Sequence, residues 1–131
     1  MKTRIALLAA TMLVALPAHA QLAISSNDGK GVLIAGVNTV PDNPVPDNIT
    51  IIDLNVSPPK VLATINVPTS LVGPPQSVAI APDESFALVT AATKIDPADK
   101  KKTAPHNIVS VIDLQAKPPA VAATHEAGLG A

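Results

Sequence analysis

Two stretches of this chain repeat each other at a distance of sixty residues, and that echo restricts the fold more than any other feature. Ile52-Asp53-Leu54, Pro58-Pro59, Val61 and Ala63-Thr64 return as Ile112-Asp113-Leu114, Pro118-Pro119, Val121 and Ala123-Thr124. Over residues 49–67 laid on 109–127, eight of nineteen positions are identical, and Ile49/Val109, Thr50/Ser110 and Ile51/Val111 exchange like for like. A fixed period of this kind marks one supersecondary unit used again. A single unit cannot bury its own apolar face and must stack on a neighbour.

The units read as β structure. Apolar segments at 31–37, 49–54, 61–67, 77–81, 86–91, 108–114 and 121–124 are short, rich in β-branched side chains and bounded by turn residues. That pattern favours strand over helix. Asn27-Asp28-Gly29-Lys30 and Pro82-Asp83-Glu84-Ser85 read as tight turns. Asp28 matches Asp83 at a spacing of 55, whereas Asp53 matches Asp113 at 60. The difference is assigned to the polar stretch 94–104, read as a solvated loop inserted in the second unit, where extra length is tolerated.

The first twenty residues stand apart. Lys2 and Arg4 precede an apolar run over 5–16, Pro17 breaks it, and Ala18-His19-Ala20 offers small residues for cleavage before Gln21. This is the pattern of a secretory signal peptide, an apolar helix too short to span a bilayer. The expected organisation is a signal peptide over 1–20 and a repeat domain over 21–131, with units of about 22–75 and 76–131. The expected localisation is periplasmic or secreted. Residues 21–131 hold seven Lys, no Arg and ten Asp+Glu, a net charge of −3. No basic patch exists to neutralise phosphates, and Phe86 is the lone aromatic, so nucleic acid is not an expected partner. Cysteine is absent, which leaves packing or association as the sources of stability.

The order of segments is specific enough to name. Pro75-Gln76-Ser77-Val78-Ala79-Ile80-Ala81-Pro82-Asp83, then Phe86-Ala87-Leu88-Val89-Thr90, then Asn107-Ile108-Val109-Ser110-Val111-Ile112-Asp113-Leu114 and Val121-Ala122-Ala123-Thr124, resembles the YVTN-type β-propeller repeat. The resemblance implies an all-β fold, a partial propeller of about two four-stranded antiparallel blades. The family's aromatic-Val-Thr-Asn signature is only Ala87-Leu88-Val89-Thr90-Ala91 here, and Glu84 stands where a glycine is usual after Pro-Asp. If that turn needs a left-handed residue, Glu84 is strained by about 1 kcal/mol and Glu84→Gly stabilises the protein. A propeller holds four to eight blades, so this material reads as a truncated fragment, a protomer of a multi-chain propeller or a stand-alone sandwich.

No residue pattern demands chemistry. Asp53 and Asp113 end matching strands and read as carboxylates that bond nearby backbone amides. His106 and His125 lack paired zinc spacing; His106 reads as an exposed loop imidazole. Asp83, Glu84, Asp96 and Asp99 fall in turns, without the layout of an acid–base pair or a calcium loop. No catalytic, cofactor-binding or metal residue is therefore assigned, and no cofactor is expected. The expected function is a non-catalytic binding or scaffold surface, with recognition on the loops 39–48 and 94–107 and with self-association possible through an unpaired edge after residue 124. The alternative that the resemblance implies is part of a propeller enzyme, such as a lactonase-like hydrolase or a periplasmic dehydrogenase subunit.

Overall fold

The computed structural model describes residues 21–70 and 77–128; the expected signal peptide lies outside them. The described residues are all-β, without helix. Strands β1 (Leu22–Asn27), β4 (Asn48–Asp53) and β5 (Lys60–Asn66) form one antiparallel sheet in the order β1-β4-β5. Strands β6 (Val78–Ile80), β7 (Phe86–Ile95), β8 (Thr103–Asp113) and β9 (Ala120–Glu126) form a second, four-stranded antiparallel meander. A short hairpin of β2 (Val32–Ile34) and β3 (Val37–Thr39) rises from the connection between β1 and β4.

The repeat expresses itself in matched detail. β4 pairs β5 as β8 pairs β9, and each pair carries a bulge at the same place, between Ile51/Ile52 and between Val111/Ile112. The Pro pairs match too, since Ser57-Pro58 and Lys117-Pro118 are both cis. Asp53 Oδ1 accepts from the N–H of Asn55 at 2.8 Å, and Asp113 Oδ1 accepts from Gln115 at 2.8 Å and Ala116 at 3.0 Å. These are Asx turns, in which a short carboxylate holds the chain as it leaves a strand.

Three expectations need correction. Residues 31–37 do not make one strand. Ala35 and Gly36 both adopt positive φ, 49° and 80°, and fold the segment into the β2–β3 hairpin, the two-residue turn whose twist suits flanking strands. The stretch 94–104 is not all loop either: Lys94 pairs Ala104 and Ile95 pairs Thr103, so β7 and β8 extend and the loop shrinks to 96–102. The phase of the units also shifts. Leu22 stands opposite Asp53 as Phe86 stands opposite Asp113, so β1 corresponds to β7 and Asp28 does not correspond to Asp83. The longer connection, 28–47, belongs to the first unit and contains the hairpin.

The two sheets pack face to face. Ile49 and Ile51 of the first meet Ala87, Val89 and Ile112 of the second, joined by Val67 and Leu114 and flanked by Leu22, Ile24, Val78 and Ile80. Strand alternation sends neighbours to opposite faces. Ile51 corresponds to Val111, yet it is Ile112, one residue on, that faces the core. Non-equivalent faces of the two units therefore meet, the relation of successive members of a stack rather than of a two-fold sandwich. One core residue breaks the apolar pattern: Ser110 is fully buried, and its Oγ has no hydrogen-bond partner among the described residues.

Candidate functional site

The antiparallel topology gives the molecule two ends. At one lie residues 54–59, 81–85 and 114–119; at the other lie the connections 28–47 and 96–102 and residues 67–70. The sequence-derived recognition loops, 39–48 and 94–107, both fall at the second end and touch. Pro41, Asp42 and Pro44 face Ile95, Asp96, Pro97, Lys100 and Lys101 across a cleft of about 470 Å³. Lys101 and Asp42 form an ion pair over the opening, and the Lys101 ammonium holds the Asp42 carboxyl below its usual range. Three prolines and Ile95 supply apolar walls, and charges of both signs occupy the rim. A smaller cleft lined by Lys30, Pro44, Val45, Pro46, Asp47 and Ile95 adjoins it through Pro44 and Ile95.

A buried ionic clamp supports these clefts. The side chains of Lys30 and Asp47 are 10% and 9% exposed and pair with each other; Lys30 Nζ also lies 3.3 Å from Asp28 Oδ1 and donates to the Thr69 carbonyl at 2.8 Å. Asp47 accepts in addition from the N–H of Gly29 at 3.1 Å and of Thr69 at 3.0 Å. Buried charge persists only when paired and hydrogen-bonded in this way. Gly29 is required by proximity: a Cβ there would lie 2.1 Å from the Val45 carbonyl oxygen. Sequence spacing does not reveal this clamp, because Asp47 and Thr69 lie 17 and 39 residues from Lys30. One signal existed in the repeat itself, since Asp47 falls where the second unit has Asn107.

His106 borders the clamp. Across from Ala92 two residues, His106 and Asn107, occupy the place of one between the Thr93↔Pro105 and Ala91↔Ile108 pairs, and Asn107 takes φ 52°. Such a bulge re-aims side chains. His106 is thus not the exposed imidazole expected from sequence: its Nδ1 is buried and has no hydrogen-bond partner among the described residues. Burial pushes its pKa below the ordinary 6.5, the charges of Lys94 and Lys30 push the same way, and Asp47 opposes them. His106 Nδ1 has no partner among the described residues, and Lys30 Nζ is already engaged by two carboxylates and the Thr69 carbonyl, so the two are not an assembled acid–base pair.

The other sequence candidates stay apart. Asp53 and Asp113 hold turns at the opposite end. Asp83 accepts from the Ser85 hydroxyl at 2.7 Å and its N–H at 3.1 Å, which holds its carboxyl below the usual range. Asp96 and Asp99 close the 96–102 loop by accepting from the N–H groups of Ala98 and Lys101. His125 is exposed on β9 opposite Val109. Among the described residues no group of three or more His, Cys, Asp or Glu side chains could hold a metal ion, and no helix is long and apolar enough to cross a membrane.

Comparison with known proteins adds no assignment: no family model, no curated protein and no solved structure matches this chain.

Proposed function

We propose that this protein is an exported β-propeller-type repeat protein, a partial propeller of the YVTN kind, that serves as a non-catalytic binding or scaffold surface in the periplasm or outside the cell. Support for the stacked-repeat part comes from the matched bulges and Asp turns and from the meeting of non-equivalent sheet faces. The binding part rests on one observation, the concentration of recognition features at a single end. There the two loops enclose a cleft of about 470 Å³, within the size range of ligand sites. Beside it the β2–β3 hairpin exposes Val32, Leu33, Ile34 and Val37, and contiguous exposed apolar surface marks interaction sites. Proline walls and a rim of both charges suit a short peptide or a small molecule of similar size.

The test is an NMR screen of the isotope-labelled protein against a mixed panel of short peptides, sugars and lactones. Amide shifts confined to residues 32–48 and 94–107, with no turnover of any lactone, are expected. Shifts centred on the Asp53 and Asp113 turns, or hydrolysis of a lactone, overturn the reading.

A further inference from the structure

Glu84 makes a contact that its turn does not need. Its φ of 54° places it in the left-handed region that disfavours a side chain. The turn itself closes through the backbone, from the Glu84 N–H to the Ala81 carbonyl at 2.8 Å. Yet the side chain reaches across to the other sheet. Glu84 Oε1 accepts from the backbone nitrogen of Gln21 at 2.7 Å and from that of Leu22 at 3.1 Å, a tie spanning 63 residues. Gln115 Nε2 donates to the Glu84 carbonyl at 3.0 Å and steadies the turn from behind. The Gln21 side chain is directed elsewhere, with its Oε1 accepting from Asn55 Nδ2 at 3.4 Å, and the Gln21 carbonyl accepts from Leu54 at 2.8 Å.

We infer that Glu84 is a receptor for a newly made N-terminus: cleavage after Ala20 turns the Gln21 nitrogen into an α-ammonium, and the carboxylate already touching that atom pairs with it. The inference rests on the export reading above and goes beyond it, because it assigns a residue of the second sheet to the processed end of the first. A carboxylate is the right chemistry for this site. It accepts from a backbone amide before cleavage and gains a full opposite charge after it, the stronger, charge-assisted form of the same bond.

The pairing has a chemical consequence. A free N-terminal glutamine cyclises when its neutral α-amine attacks its own side-chain Cδ; the N–Cδ bond forms, the Cδ–Nε2 bond breaks and ammonia leaves. A carboxylate beside the amine favours the protonated, non-nucleophilic form. Glu84 therefore preserves Gln21 as an open-chain residue. The sign of the linkage follows. A raised α-amine pKa gives stabilisation that is complete below the ordinary α-amine value and is lost as pH rises through the raised one.

The full chain is expressed with its first twenty residues, and the purified product is examined by mass spectrometry, by NMR titration of the Gln21 α-amine and by its rate of ammonia loss. Glu84→Gln serves as the comparison, since it keeps an oxygen acceptor for the amides and removes only the charge. The expected result is a product starting at Gln21 whose α-amine titrates at lower pH in Glu84→Gln and whose cyclisation is several-fold faster there. A product that starts at Gln21 but shows the same titration and cyclisation in both proteins overturns the role of Glu84 and leaves export standing. A product that starts elsewhere overturns both.

Discussion

The turns after Asp53 and Asp113 match feature for feature: a carboxylate on the amide two residues on, a cis Pro peptide and a bulge in the next strand. At the other end of the same strands, the connections 28–47 and 92–107 share neither length nor chemistry. One carries a hairpin and a buried lysine between two aspartates; the other carries a stapled Lys-rich loop and a histidine on a bulge. A repeat can tolerate divergence only where its neighbours do not depend on it. The conserved end closes each sheet upon itself, and the divergent end is free to become a surface.

The comparison breaks first at the clamp. Lys30→Ala leaves Asp47 and Asp28 without their cation in a buried setting and costs about 3 kcal/mol of folding stability in a urea titration; a cost near zero makes the clamp a surface ornament. Gly29→Ala drives a methyl group into the Val45 carbonyl and costs about 2 kcal/mol. An unchanged midpoint would show that the 28–47 connection yields easily. At the conserved end, Asp53→Ala and Asp113→Ala each cost about 1 kcal/mol. Unequal losses, beyond the extra Ala116 bond of Asp113, would mean that the two turns are alike in shape only.

Smaller effects sharpen the picture. The turn's sequence makes Glu84→Gly stabilising, and φ is indeed positive there. The structure also gives the Glu84 side chain two amide bonds to β1, whose loss offsets about 1 kcal/mol of relieved strain. Glu84→Gly is therefore expected to melt within a few degrees of the natural protein, and a clear rise would dismiss the tie. The least effect belongs to His106. Because its folded pKa is depressed, the stability it contributes is present above 6.5 and lost as pH falls through the lower folded value. Thermal melts of His106→Gln should lack that acid-side decline.

What was legible without coordinates was local or periodic. The strand segments at 49–54, 61–67, 86–91 and 108–114 follow from β-branched alternation, and the roles of Asp53 and Asp113 follow from a carboxylate two residues before the amide it binds. Less was visible where a signal was short and ambiguous. Residues 31–37 read as one apolar strand because Ala35 carries no mark of a residue that will take positive φ. Asp28 looked like the partner of Asp83 because both precede turn-like residues, and only strand register shows otherwise.

The chain alone determined that two like units exist, that they are β and where their shared turns lie, since pleat alternation and Asx chemistry act over a few residues. Tertiary structure alone decided that unlike faces meet, that Lys30 is buried between Asp28 and Asp47, and that Glu84 reaches β1. Those outcomes depend on Lys30 meeting Asp47 and Thr69, 17 and 39 residues away, and on Glu84 meeting Gln21, 63 residues away. Nothing in the spacing of a sequence fixes such distances; the desolvation of a charge or a face, resolved only when the sheets close on each other, does.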